Sequence, residues 1–353
     1  ECTVRAAVQE ANALPGKQSI ALGRLIHLLN LDAEAVRAAA LGANIPGEDG
    51  ALTGDLDVTD DLEIIGLGAD DSIINANQQD RVIEVLNGAS LTLRNVGLTG
   101  GMAIDNGSGG ALRNVDGAVA LYNVAVSSSH GGSGGGIANE GGSMRIVASS
   151  ITGNSVIEGG SGGGILNSAE LTLENVTISG NRAGTGGGLQ ALGGTAILRN
   201  VTLVSNVATG AGGGINNGGA EDVRLSNTIV ANNSAEFGPV CGYIFTSDGH
   251  NLLDELADCT VLGDTGTNII NTDLSLEEMS LNAASTYAQI PLASSPVIDA
   301  GSCDLTVDQR GVTRPQGNGC DIGAVEWVDG EGEVGGPPPV VINMNIFMPL
   351  VKR

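Results

Sequence analysis

Residues 162–181 read Gly162-Gly163-Gly164-Ile165-Leu166-Asn167-Ser168-Ala169-Glu170-Leu171-Thr172-Leu173-Glu174-Asn175-Val176-Thr177-Ile178-Ser179-Gly180-Asn181, and most of these phrases recur along the chain. The glycine triplet with its aliphatic neighbour returns at Gly134–Ile137, Gly186–Leu189 and Gly212–Ile215, so that Ile137, Ile165, Leu189 and Ile215 stand 28, 24 and 26 positions apart. A fainter copy is Gly109-Gly110-Ala111-Leu112. The second phrase, Leu171 to Val176, is echoed from Leu91 to Val96, Val119 to Val124 and Ala196 to Val201, and more loosely from Val223 to Asn227. The third, Ile178 to Asn181, is echoed from Ile151 to Asn154, Leu203 to Asn206 and Ile229 to Asn232. Apolar residues two apart with polar residues between them mark strands. A fixed period in this range marks a solenoid, propeller or array.

Three short strands in each period of about 26 residues, with no helical stretch between them, predict an all-β fold: a right-handed parallel β-helix with three strands per coil. Each coil then pairs with the coil above and the coil below, about 4.8 Å away. The asparagines acquire a structural role. Asn95, Asn123, Asn175, Asn200 and Asn227 form one predicted column, with Ser149 in the gap, and Asn154, Asn181, Asn206 and Asn232 form another. Stacked amides can hydrogen-bond along a column, and Asn tolerates the left-handed backbone of a bend. The Asn-x-Thr sequences at Asn175 and Asn200 are therefore read as stack positions rather than glycosylation sites. The glycine triplets are read as corners, because phosphate loops need a following helix and usually a Lys. The Gly-Gly-x-Gly-x-Asp pattern of Ca²⁺-binding β-rolls is absent.

Composition fits this picture. Of 353 residues, 41% are hydrophobic, 2% aromatic and 56 are Gly, which suits a narrow interior of Ile, Leu, Val and Ala. The net charge is -25 and Lys17 and Lys352 are the only lysines, so phosphate backbones are repelled and nucleic acid is excluded as a partner. No run of 18 apolar residues predicts a membrane-spanning segment. Cys241 and Cys259 bracket one loop, Cys303 and Cys320 another, and none has zinc-site spacing. Two local disulfides with Cys2 left over are the simplest pairing and imply an oxidising, extracytoplasmic setting. Cys2 is expected to pair with a cysteine upstream or in another molecule. No leader is read at the start, which for a secreted protein means prior removal.

The chain is divided into an N-terminal cap with first strands (1–50), a β-helix (51–327) ending in a closing motif (295–327), an acidic Gly/Pro linker (328–339) and an apolar tail (340–353). Residues 3–13 read as an amphipathic capping helix with the stripe Val4, Ala7, Val8 and Ala11, stopped by Pro15-Gly16. A second helical stretch is expected from Asp32 to Ala40. The tail, with Val340, Val341, Ile342, Ile346, Phe347, Leu350 and Val351, is β-prone. Three fates are open to it: folding back, anchoring, or adding as a strand to a neighbouring molecule, which would build filaments.

The opening Cys2-Thr3-Val4-Arg5-Ala6-Ala7-Val8-Gln9-Glu10-Ala11-Asn12 resembles the Cys-Ser-Leu-Arg-Glu-Ala-Ile opening of secreted bacterial right-handed parallel β-helix proteins. The Gly-Gly-Gly-Ile and Ile-Ser-Gly-Asn phrases resemble the polymorphic outer-membrane-protein repeats of that group. Ser295 to Gly301, Asp308 to Gly311, Arg314-Pro315 and Cys320 to Glu326 resemble its "choice-of-anchor Q" ending. The resemblance covers most of 1–327 and implies a secreted or surface-displayed structural protein. Most members of that group have no established activity. No cofactor is expected, and the expected partners are the protein itself, through strand addition by its tail, or surface glycans. In the closing motif, Asp299, Asp308, Arg310, Arg314 and Asp321 are expected as paired charges that finish the last coil.

The other reading is a carbohydrate-active β-helix enzyme, either lyase or hydrolase, which needs converging carboxylates. Glu140, Glu158, Glu170, Glu174, Glu221 and Asp222 recur in no column. Asp55/Asp57, Asp60/Asp61 and Asp70/Asp71 read as solvated turn acids between opening coils. Arg94, Arg113 and Arg199 are expected to project outward, and His130 reads as a mobile surface side chain. Trp327, the only Trp, lies outside the repeats. No catalytic, cofactor or metal residue is assigned.

Overall fold

The computed structural model describes residues 3–29, 54–86, 88–103, 107–270, 274–282 and 284–330. Cys2, the segment Asp32 to Ala40 and the tail 340–353 lie outside the described residues.

The fold is a parallel β-solenoid. Its first ladder stacks the Leu-Thr-Leu phrases in register, carrying Leu91, Val119, Met144, Leu171, Ala196 and Val223 inward as one column. The second ladder stacks Leu98, Val126, Ile151, Ile178, Leu203 and Val230. The glycine-opened third ladder stacks Leu56, Ile83, Leu112, Ile137, Ile165, Leu189, Ile215 and Cys241. All three columns belong to one continuous buried core. Among the described residues, four coils add a short fourth strand, pairing His130, Ser155, Arg182 and Val207 ahead of the glycine corner.

The triplets divide three tasks. In Gly162-Gly163-Gly164 the first residue holds φ +70. A β-carbon at the second would lie 2.5 Å from the Gly187 carbonyl oxygen of the next coil. One at the third would lie 2.6 Å from Gly188 O and 3.1 Å from Asn181 Nδ2. The corner is therefore shaped by backbone approach between coils.

Helix Val4–Ala13 closes the first coil. Thr3 caps it by accepting from Ala6 N at 3.2 Å, and Val4, Val8 and Ala11 are buried, with Ala7 half-buried. Arg5 donates to Asp55 O at 2.9 Å, and Asn12 exchanges bonds with Asp57 O and Thr59 N. These polar bonds seat the helix on the raw end of the core.

Both predicted disulfides are present, Cys241–Cys259 and Cys303–Cys320, each with Cα atoms 5.3 Å apart. No helix among the described residues is long and apolar enough to cross a membrane.

Candidate functional site

The asparagine columns come first, because they decide which polar groups are structural. Asn154 Nδ2 donates to Asn181 Oδ1 (3.1 Å), Asn181 Nδ2 to Asn206 Oδ1 (2.9 Å) and Asn206 Nδ2 to Asn233 Oδ1 (3.0 Å). The final member is thus Asn233 rather than Asn232. Asn232 sits one residue earlier, at φ +55, in the left-handed slot held by Gly153, Gly180 and Ser205 in other coils. Among the described residues, a further column, Asn114–Asn139–Asn167, links its amides at 2.9 and 2.7 Å. It escaped sequence reading because its members lie two residues after the repeated aliphatic position, outside the more obvious phrases.

The other predicted column behaves differently. Asn95, Asn123, Asn175, Asn200 and Asn227 all hold φ between +48 and +55. The position between Asn123 and Asn175 belongs to Ala148 at φ +50, not to Ser149. Ser149 instead accepts from Val124 N and donates to Val147 O. Only Asn123 and Asn95 share an amide bond (2.8 Å). Asn175 Nδ2 donates to Val307 O (2.9 Å), Asn200 Nδ2 to Gly323 O (3.3 Å) and Asn227 Nδ2 to Ser302 Oγ (2.8 Å).

Those partners reveal that the closing motif does not finish the last coil. It runs back along the solenoid wall as a clasp. His250 bonds Ala300 O, Thr202 Oγ1 accepts from Ala324 N, Thr177 donates to Gln309, and Ser150 Oγ accepts from Tyr287 N. Beneath it lies a second apolar cluster of Val204, Ile229, Ala231 and Leu252 with Val297 and Ile322. The paired charges predicted for the motif are present, but they brace the clasp itself. Arg314 meets Glu326 at 2.8 Å with side chains 0% and 1% exposed, and Asp308 holds Arg310 at 3.0 Å. Asp299 accepts from Gly319 N. Asp321 accepts from Asp299 N and Trp327 N. Burial pushes the Asp321 carboxyl up to about 6, and the neighbouring Glu326 pushes the same way.

At the opposite end, Asp55 and Asp57 are buried, which corrects their reading as solvated turn acids. Asp57 and Glu84 are neighbours in the third ladder, and one carboxylate oxygen from each of Asp55, Asp57 and Glu84 lies within 4.8 Å of the others. Arg81 pairs with Asp55 (2.7 Å) and Glu84 (3.3 Å), and Arg113 bridges Glu84 and Glu140 at 2.7 Å each. Packing this strand against the helix-capped first coil encloses the acids, and the guanidiniums offset their charge.

Arg94 and Arg199 do project outward, as does Arg145, while Arg113 is half-buried. Arg94 meets Glu63 and lies 4.2 Å over Tyr122, while Glu174 joins Arg145 and Arg199. His130 is not a mobile surface group. It is half-buried in the short fourth ladder, bonds Ser155 Oγ at 2.9 Å, and burial lowers its pKa.

Among the described residues, the wall carries two open grooves of note. One, about 350 Å³, lies on the first ladder over Thr92, Ala120 and Arg145. The larger, about 650 Å³, lies where the third ladder meets the Cys241–Cys259 disulfide, over Gln190, Asn216 and Asn217 and beside Leu192, Tyr243 and Ile244. None of the residues lining the larger groove is charged. Tyr243 escaped sequence reading because it belongs to no repeated phrase. No protein-family model, curated protein or solved structure matches the chain.

Proposed function

We propose that this chain is a secreted or surface-displayed bacterial structural protein, a stiff rod whose wall serves adhesion and whose tail 340–353 joins copies into filaments. The observation that carries this reading is the lengthwise clasp, which bonds Asn175, Asn200 and Asn227 of three successive coils to one returning segment. Coils otherwise held only to their neighbours are thereby tied along the axis, as an extended scaffold requires. The two disulfides support an oxidising setting, and the resemblance of the opening and closing motifs to secreted β-helix proteins supports surface display. Electron microscopy of the purified protein tests it. Ordered fibres are expected, reduced to discrete rods when residues 337–353 are deleted; undiminished fibres in the deleted protein would sink the tail-mediated assembly.

A second reading, a carbohydrate-active enzyme, has one observation in its favour, the convergence of Asp55, Asp57 and Glu84. Release of reducing or unsaturated ends from a polysaccharide panel, lost in Asp57→Asn, would favour it. The pairing of these acids with Arg81 and Arg113 favours a structural role instead.

A further inference from the structure

The larger groove combines a polar floor, an apolar side and an exposed aromatic ring. Gln190 and Asn216 are neighbours in one column of the third ladder, and Asn216 Nδ2 donates to Gln190 Oε1 at 2.9 Å. The next position in that column is Gly242, which offers no side chain. A β-carbon there would lie 2.1 Å from Asn216 Oδ1, so this oxygen faces a notch. Asn216 is 5% exposed and its Oδ1 has no hydrogen-bond partner. Buried acceptors are nearly always satisfied in folded proteins, and one left bare at the floor of a groove awaits a donor.

The rim is built for the same chemistry. Tyr243 is 65% exposed, and Leu192 and Ile244 are exposed beside it. Tyr243 also holds φ +75, a conformation that costs energy for a bulky residue and concentrates at functional sites. Its position is fixed from both sides, because Cys241 is bonded to Cys259 and Tyr243 pairs in register with that same Cys259. Across the groove, the Ser161 and Thr185 hydroxyls lie 3.0 Å apart. Amides and hydroxyls that both donate and accept, next to an aromatic face, match the hydroxyls and C–H faces of sugars.

We propose that this groove binds a neutral oligosaccharide. The reading rests on the adhesive function above and gives that function its contact site. Charge decides the class of sugar. No lining side chain is charged and the chain carries -25 overall, so uronate or sulfated sugars meet repulsion with no cation in the groove to offset it. Asn216 Oδ1 is sealed from bulk water, so entry requires the groove wall to yield locally.

Calorimetric titration of the full chain with maltohexaose, cellohexaose, mannohexaose and chitohexaose, and with hexagalacturonate as the acidic probe, tests the proposal. At least one neutral probe should bind, and the acidic probe should bind at least about tenfold more weakly. Tyr243→Ala should weaken neutral binding about tenfold, the scale of one lost stacking contact. Leu192→Asp, at an exposed position that folding tolerates, should weaken it similarly and keeps the test valid if Tyr243→Ala folds poorly. Absence of binding to every neutral probe, preference for hexagalacturonate, or binding unchanged in both variants overturns the proposal. Normal fibres in a preparation that binds no sugar would discard the groove and leave the structural reading standing.

Discussion

Two bends of the same coil solve the same problem in different ways. At one, Asn154, Asn181, Asn206 and Asn233 satisfy each other, amide to amide, and need nothing from outside the repeat. At the other, Asn175, Asn200 and Asn227 hold the left-handed backbone but hand their amides to residues 302–323, up to 132 positions away in sequence. The clasp takes the amide nitrogens but not the oxygens: Oδ1 of Asn123, outside it, and of Asn175 and Asn200, under it, are all buried without a partner. A repeated residue therefore has a repeated backbone role without having a repeated partner. The first bend is a property of the stack, while the second is a docking strip.

Disabling the clasp is the severest way to break this comparison. Arg314 and Glu326 are fully buried, and Glu326 also accepts from Asp321 N and Gln316 N. Burial lowers the pKa of the guanidinium, with Glu326, Asp308 and Asp321 opposing that shift. Arg314→Ala strands the Glu326 charge in the interior, and a loss of about 3–5 kcal/mol is expected. Urea unfolding followed by exchange of the Asn175 and Asn200 side-chain amides would separate clasp release from rod melting. The clasp bend should open first. Simultaneous loss of both bends would mean that the clasp is integral to the coils rather than docked on them.

A gentler contrast sets one column against the other. Asn181→Ala leaves Asn154 and Asn206 with orphaned groups in a fully enclosed column, so about 1–3 kcal/mol should be lost. Asn123→Gly preserves the φ +54 backbone and removes a single half-buried amide bond, to Asn95, whose freed oxygen water can reach, so a change of about 1 kcal/mol or less is expected. Equal urea midpoints for the two variants would erase the distinction between the bends.

The difference between the bends also explains what the sequence disclosed. The period, the three ladders, the capping helix and both disulfides were legible, because each depends on local alternation or short spacing. The clasp was not, because its contacts are long-range, yet it left a trace. In the coils at Leu98-Thr99, Val126-Ser127 and Ile151-Thr152, an apolar residue is followed by a polar one. From Leu203-Val204 onward, through Ile229-Val230-Ala231 and Leu252-Leu253, consecutive residues are apolar, as on a strand covered on both faces. Asp55 and Asp57 misled for a related reason. Alternating acids beside Gly54 look like a turn, whereas their burial follows from Glu84, Arg81 and Arg113 in adjacent coils. Tyr243 carried no pattern at all, since its importance comes from the glycine beside it and the groove it borders.

A further contrast distinguishes the bends by pH. Asp321, 2% exposed, lies in the clasp and has no counterpart in the self-satisfied column. Its folded pKa of about 6 exceeds its ordinary value of 3.8, so the folded clasp binds a proton more tightly than the unfolded chain does. The stabilisation linked to that proton is fully present below pH 3.8 and is lost as pH rises through about 6. Between those limits the clasp should weaken as pH rises, opposite to the trend given by a salt-bridged carboxylate. Asp321→Asn keeps an oxygen for Asp299 N or Trp327 N but cannot titrate, so it should flatten that slope. Amide exchange at Asn175 measured from pH 4 to 7 gives the direct reading, with the Asn181 amide as the internal reference. A slope that survives in Asp321→Asn would move the titration to another group, and a matching slope at Asn181 would assign it to the rod as a whole.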